Sequence, residues 1–292
     1  MTLTGLYVPL ITPFDARGAV ALDALEALAH QVLDAGATGL VALGTTAEPA
    51  SLDDRERRDV IDVTARVCRD RSAHLVVGAG SPDALRALRD RPEVMAALSL
   101  VPPFTRPGEA GVLAHFEHLA AASPVPLVVY HVPYRTGQRL SADALRRLPG
   151  LPGVVGVKYA VGGIDADTIA LLADPPAGFA VLGGDDAFIS PLLALGAHGG
   201  ILASAHVATA EFVELIEAWR GGDTVRARAL GHRLATLSAA LFAEPNPTVV
   251  KAVLHSQGRI PSASVRLPLL AAGPHATRAA LRYVDRPVGA PA

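Results

Sequence analysis

Eight short apolar runs punctuate the 292-residue chain: Leu6–Ile11, Leu40–Leu43, Leu75–Val77, Leu98–Val101, Leu127–Tyr130, Val154–Val157, Phe179–Leu182 and Gly200–Ala203. Between them lie longer stretches with helical periodicity: Leu22–Asp34, Arg55–Arg69, Val112–Ala121, Ala142–Leu148, Asp165–Ala173, Asp186–Leu195 and Ala210–Arg220. A run of three to six apolar residues suits a strand buried on both faces, as in a parallel sheet covered by helices. Eight such runs alternating with helices predict an α/β fold of the (β/α)8 barrel type. An open doubly wound sheet is the alternative, but it seldom needs eight units. Helix-start signals agree with the alternation: Ser51-Leu52-Asp53-Asp54, Ser81-Pro82-Asp83 and Ser141-Ala142-Asp143 each precede a helical stretch.

The alternation stops after Gly221-Gly222. Asp223–Leu241, Pro247–Ser256 and Pro274–Tyr283 read as helices with no strand between them. This predicts a barrel over residues 1–222 and a small helical C-terminal region over 223–292, ending in a frayed Pro-rich tail from Arg286 to Ala292.

Composition removes several function classes. Half of the residues are hydrophobic, yet no run is long enough to span a bilayer. Met1-Thr2-Leu3-Thr4 lacks the basic start of a secretory signal. The single cysteine, Cys68, excludes an intrachain disulfide and fits a reducing cytoplasm. Net charge is −2 with scattered arginines, so no basic stripe points to nucleic acid. No paired Cys or His cluster suggests zinc, and neither a P-loop nor a dinucleotide fingerprint follows a strand. No metal and no nucleotide cofactor is expected.

Lysine occurs only at Lys158 and Lys251, while Lys and Arg together number 26. Where charge alone matters, arginine has taken the place. A surviving lysine is therefore a candidate for chemistry that a guanidinium cannot perform: an amine can lose its proton, attack a carbonyl and form a Schiff base. Lys158 ends the run Gly153–Val157, as a strand would deliver an amine to the mouth of a barrel. Burial there disfavours an ammonium and favours the neutral nucleophile. The commoner fate of a strand-end lysine is solvent, but rarity and position favour the chemical reading. Lys251, inside a helical stretch, reads as structural.

Barrel enzymes gather their functional groups at the C-terminal ends of the strands. Gly44-Thr45-Thr46 places two hydroxyls and backbone N–H groups after strand two, an arrangement able to bind a carboxylate through neutral donors. A plain capped turn is the ordinary reading of such a segment. Tyr130 ends strand five with a polar tip, either satisfied by backbone or acting in proton transfer. Arg135, in the loop Val132–Gly137, suits bidentate binding of a second carboxylate. Asp185 and Asp186 follow strand seven and are expected to be a helix cap plus a first-turn acid rather than a metal pair. Strand eight ends in Ile201-Leu202-Ala203-Ser204.

Taken together, Thr12-Pro13-Phe14, Gly44–Glu48, Tyr130–Pro133, Gly156-Val157-Lys158, Gly183–Asp186 and Asn246-Pro247 make the chain similar to the dihydrodipicolinate synthase / N-acetylneuraminate lyase family of Schiff-base-forming barrel enzymes. Each motif alone is weak, but their order along nearly the whole chain is not. The resemblance implies a pyruvate-dependent lyase without metal or organic cofactor. In it Lys158 would attack the pyruvate ketone, and Tyr130 would act as general acid and base, linked to Thr45 in a proton relay. Gly44, Thr45, Thr46 and Ile201 would line the pyruvate site. Arg135-Thr136-Gly137 resembles the synthase branch, where this arginine grips the carboxylate of aspartate semialdehyde on the way to diaminopimelate and lysine. The family likeness also implies a homotetramer or dimer, with the apolar loop Val101–Phe104 at an interface.

The chain departs from that pattern at several positions. The synthases carry a second tyrosine in the strand-four loop that completes the relay in a neighbouring subunit; here Phe104 stands instead, with Tyr134 and His131 as candidate replacements for its hydroxyl. His131 replaces an asparagine, Ala47 a glycine, and Pro49 follows Glu48. Ser81–Arg91 lacks the asparagine of a lysine-feedback site, so weak inhibition by lysine is expected. A related pyruvate-dependent aldolase or dehydratase acting on a 2-keto-3-deoxy sugar acid or hydroxy-oxo-acid, and a non-catalytic keto-acid-binding paralogue, are the alternatives.

Overall fold

The computed structural model describes residues 3–284. The tail Arg286–Ala292 lies outside the described residues. In chain order the elements are β1 (Gly5–Pro9), α1 (Leu22–Asp34), β2 (Gly39–Ala42), α2 (Asp54–Asp70), β3 (His74–Gly78), α3 (Pro82–Arg86), β4 (Val94–Leu100) and α4 (Gly108–Ala122). They continue with β5 (Leu127–His131), α5 (Pro133–Thr136), α6 (Ala142–Arg147), β6 (Val154–Tyr159), α7 (Ala166–Ala173), β7 (Ala180–Gly183), α8 (Ile189–Ala194), β8 (Gly199–Ile201) and α9 (Ala205–Gly221). Three further helices close the described chain: α10 (Thr224–Leu241), α11 (Thr248–Ser256) and α12 (Pro274–Val284).

The eight strands pair in parallel, each with its sequence neighbour, and β8 pairs with β1 to close a barrel. All eight expected strands are present, so the (β/α)8 expectation holds. Two boundaries moved in ways that matter. β4 starts at Val94 rather than Leu98, with Ala96 and Met95 packed in the barrel interior and Ala97 buried toward the helices. β6 runs on to Tyr159, so Lys158 sits inside the strand.

Alternation of side chains across each strand sorts the core into two layers. Tyr7, Val41, Val76, Leu98, Val128, Tyr130, Leu182 and Ile201 fill the barrel, while Leu6, Leu40, Leu75, Val129, Val157 and Val181 face the helices. Glycine serves where strands crowd: a Cβ on Gly199 would stand 2.0 Å from the carbonyl oxygen of Gly5, and one on Gly39 would stand 2.4 Å from that of His74. Helix starts follow the sequence signals. Asp53 and Glu56 form a capping box on α2, and Ser81 and Ser141 cap α3 and α6 through their hydroxyls.

After α9, α10 packs on α8 and α9, and α11 and α12 pack beside them. The segment between α11 and α12 returns to the barrel mouth. Lys251, fully buried on α11, donates to Glu48 Oε1 at 2.5 Å and to the Ser264 carbonyl at 2.9 Å, with its ammonium 4.0 Å from the centre of the Phe14 ring. Glu48 Oε2 accepts the Arg266 N–H at 2.8 Å. Glu48 itself holds a left-handed backbone, φ 55°, directly after Thr45–Ala47. Burial pushes the Lys251 amine down to about 8, and the Glu48 carboxylate opposes that shift. The structural reading of Lys251 is thus the one its surroundings support.

Two outcomes test these contacts. Removing one member of a buried ion pair strands the other charge, so Lys251→Met should cost about 3–5 kcal/mol in urea unfolding, and combining it with Glu48→Leu should recover much of that loss. His206 is buried, with Nε2 accepting the Ile11 N–H at 3.1 Å and Nδ1 against the Ala203 carbonyl at 2.8 Å. Burial first, and Arg259 as a lesser cause, hold it down to about 4 against an ordinary 6.5. Above pH 6.5 both folded and unfolded states leave it neutral. As pH falls from 6.5 toward 4 only the unfolded chain takes the proton, so stability drops by up to about 1.4 kcal/mol per pH unit for this group. His206→Gln should show a shallower fall over that window; equal slopes would remove His206 as the source.

Candidate active site

The ends of β5 and β6 bring the amine and the phenol together. Tyr130 and Lys158 are register partners on adjacent strands. Because both side chains fall on the inward phase, they share the barrel interior, and both are buried, at 6% and 5% exposure. Lys158 Nζ lies 4.4 Å from the centre of the Tyr130 ring. Lys158 therefore does not reach out to solvent. The strap after β7 lies against its stem: a Cβ on Gly184 would stand 2.8 Å from both Cγ and Cε of Lys158.

Tyr130 also lines a cavity of about 720 Å³ with Leu43, Gly44, Thr45, Leu98 and Leu100, whose far side carries Arg57, Arg58 and Arg91. Gly44-Thr45-Thr46 ends β2 in a single turn of 3-10 helix. The N–H groups that open such a turn have no partner within it. Thr45 is exposed and Thr46 buried. The Thr46 hydroxyl accepts a hydrogen bond from the Asn246 amide at 3.0 Å, which leaves its own proton free to donate. Thr12 donates to the Ala47 carbonyl at 2.8 Å and fixes the far end of the turn. Ile201 lies within the same interior cluster as Tyr130. Arg135 is exposed on α5.

The acids after β7 follow the expectation in part: Asp186 sits in the first turn of the 3-10 helix that follows, and Asp185 holds its N-cap position but makes no side-chain capping bond. Asp185 accepts from the Tyr134 hydroxyl at 3.0 Å through Oδ1 and from the Gly162 N–H at 2.6 Å through Oδ2. Buried Asp186 accepts the Ser204 N–H at 2.5 Å, at the start of α9. The capping expectation fails for the Asp185 side chain because the barrel brings the loops after β5 and β6 within its reach, and both its oxygens are taken there. Burial raises Asp186 to about 6, opposed by the Ser204 N–H and by Lys158. Burial also raises Asp185, against its two hydrogen bonds, Lys158 and Arg135. Sequence reasoning missed Asn246 as a support for Thr46, 200 positions away. It also missed Asp185 as a bridge, for which adjacent acids give no distinguishing signal.

His131 and Tyr134 are set apart from the amine in different ways. His131 falls on the outward phase of β5, buried against Tyr159 at 5.8 Å between ring centres, and burial holds it down to about 4. The Tyr134 hydroxyl is turned to Asp185. In the strand-four loop Val101 is buried, whereas Phe104 is 88% exposed with a left-handed backbone, φ 67°, and its N–H bonded to the Thr136 carbonyl at 3.1 Å. Among the described residues no group of three or more His, Cys, Asp or Glu is placed to hold a metal ion, and no helix is long and apolar enough to cross a membrane.

Gly184→Ala tests how tightly the amine is positioned. Its methyl would press on a side chain rather than on backbone, so the fold should hold while Lys158 shifts. Loss of roughly 10- to 100-fold in kcat with an unchanged melting temperature is expected; full activity would show that the strap does not set the amine.

The family model described as the dihydrodipicolinate synthetase family matches residues 2–283. The chain is 34% identical over 275 residues to 4-hydroxy-tetrahydrodipicolinate synthase 2 of Clostridium acetobutylicum, covering 92% of this chain and 95% of that one. It is 37% identical to 4-hydroxy-tetrahydrodipicolinate synthase of Syntrophus aciditrophicus, covering 91% of each. Among solved structures, the dihydrodipicolinate synthase of Acinetobacter baumannii complexed with pyruvate superposes with a TM-score of 0.90 at 32% identity, over 97% of this chain and 99% of that one. That of Bacillus anthracis superposes with a TM-score of 0.91 at 28% identity, over 98% and 100%. The closed barrel, its inward amine and this match along nearly every residue have one meaning: the chain belongs to the dihydrodipicolinate synthetase family.

Proposed function

We propose that this protein is a 4-hydroxy-tetrahydrodipicolinate synthase that condenses pyruvate, held as an imine on Lys158, with L-aspartate-4-semialdehyde. The observation that carries the reading is the buried amine of Lys158 standing 4.4 Å from the Tyr130 ring at the mouth of the barrel.

The chemistry follows from the arrangement. Neutral donors suit a carboxylate because they bind it without an opposing charge to desolvate. The Thr45 and Thr46 N–H groups and the free Thr46 proton, on the turn after β2, would supply such donors for the pyruvate carboxylate. Gly44 and Ile201 flank it. The Lys158 amine adds to the ketone carbon, and the carbinolamine loses water to give an iminium. Tyr130, beside the amine, is the group within reach to pass protons in that exchange, with Thr45 in the same cavity as its outlet. The iminium draws the electrons of a methyl C–H bond toward nitrogen, and the proton leaves to give an enamine. The enamine carbon attacks the aldehyde, and the aldehyde's oxygen takes up a proton. The amino group of the semialdehyde then displaces Lys158 from the iminium, closing a six-membered ring and freeing the enzyme. Arg135 on α5 would receive the second carboxylate, since a guanidinium can bind it through two parallel N–H bonds.

Phe104 favours a second reading, in which a sister lyase of this family joins pyruvate to a different aldehyde. Its ring offers no hydroxyl to a proton relay. The ring's 88% exposure also supports assembly with further copies of the chain as a tetramer or dimer, since an aromatic so exposed gains most by being covered.

Borohydride reduction in the presence of pyruvate, followed by peptide mass spectrometry, should place the adduct on Lys158, and Lys158→Arg should abolish it. Absence of an adduct would end the reading altogether. A coupled assay should then show turnover with aspartate semialdehyde; turnover only with sugar-derived aldehydes would favour the second reading.

A further inference from the structure

Arg135 has an acid for a neighbour. Asp185 follows β7, and its carboxyl is pulled down by both Lys158 and Arg135 while burial pushes it up. A carboxylate facing a guanidinium ordinarily closes a bidentate pair, in which the cation is neutralised. Asp185 instead commits both oxygens elsewhere. Oδ1 takes the Tyr134 hydroxyl at 3.0 Å and Oδ2 takes the Gly162 N–H at 2.6 Å. The Tyr134 ring lies along Gly162, where a Cβ would stand 3.7 Å from its Cδ1, and Gly162 takes φ +83°, a conformation that suits glycine. The three groups come from the ends of β5, β6 and β7, so the carboxylate bridges the strands on either side of Lys158. Tyr134 immediately precedes Arg135 on the same short helix, so a bond that fixes one orients the other.

We propose that the Tyr134–Asp185 hydrogen bond determines substrate specificity, by holding the Asp185 carboxylate off Arg135 so that the guanidinium stays free for the carboxylate of the aldehyde substrate. The proposal rests on the reading of Arg135 given above. Asp185 is here a positioning residue: it acts on substrate through Arg135 and not by contact. With the phenol in place, the negative charge of Asp185 is balanced by two donors. With the phenol gone, Oδ1 is left without a partner in a half-buried position, and of the two cations that act on it Arg135 is the one that adjoins the lost phenol on the same short helix.

Kinetics of three variants separate this from a merely structural role. Tyr134→Phe removes one hydroxyl and keeps the ring. It should raise KM for aspartate semialdehyde about tenfold, the worth of one charge-assisted bond, while KM for pyruvate and borohydride trapping on Lys158 stay unchanged. Adding Asp185→Asn to Tyr134→Phe removes the competing charge and should bring that KM most of the way back. Asp185→Asn alone should leave it equal or lower, and this variant serves if Tyr134→Phe does not fold. An unmoved KM in Tyr134→Phe, a double variant as impaired as the single, or a raised KM in Asp185→Asn alone would each overturn the proposal. These outcomes differ from failure of the underlying function, which would appear in the unmodified protein as no imine with pyruvate or no turnover of aspartate semialdehyde.

Discussion

A single buried ion pair holds the barrel mouth in shape. Lys251 and Glu48 come from positions about 200 residues apart and meet out of water, at 2.5 Å. Neither charge can be buried alone, because desolvating an unpaired ion costs several kcal/mol. Their encounter therefore forces α11 and the segment through Arg266 to lie over the turn that follows β2. Everything the turn offers depends on that: the left-handed residue Glu48, the Thr46 hydroxyl held by Asn246, and the backbone donors of Thr45 and Thr46. The Phe14 ring faces both cations, Lys251 at 4.0 Å and Arg266 at 4.4 Å, and adds an electrostatic surface that favours them. The C-terminal helices thus take part in the site without supplying a reacting group.

The barrel supplies the rest through register. Parallel strands in fixed stagger place inward residues of neighbouring strands in layers. Tyr130 and Lys158 are partners in that register, and Ile201 and Leu182 fill the interior beside them. The amine is buried by geometry alone. A one-residue slip of β6 would turn Lys158 into the helix layer, where Val157 and Tyr159 now lie.

Much of this was legible in the chain. Strand number, strand order and the alternating helices follow from local periodicity, which is set by side-chain spacing and needs no knowledge of distant contacts. Lys158 stood out because a chain so poor in lysine kept one at a strand end. The turn at Gly44-Thr45-Thr46 was legible because small polar residues directly after a strand favour one. Of the two acids, Asp186 took its expected first-turn place, while Asp185 sends its side chain to Tyr134 and Gly162 instead of capping. Two adjacent aspartates before a helix look the same from the sequence whether they cap that helix or reach sideways, and only the neighbouring strand decides between these.

The sequence by itself determined the barrel and the presence of one amine at a strand end, because both rest on interactions within a few residues. Tertiary structure alone decided what surrounds that amine. The Asn246 amide on Thr46, the Lys251–Glu48 pair, the Ser204 N–H on Asp186 and the Tyr134 hydroxyl on Asp185 all join segments distant in the chain. Their partners are chosen by the closure of the sheet and by the rule that a polar group shut away from water must find a partner within reach. No local pattern encodes which partner that will be.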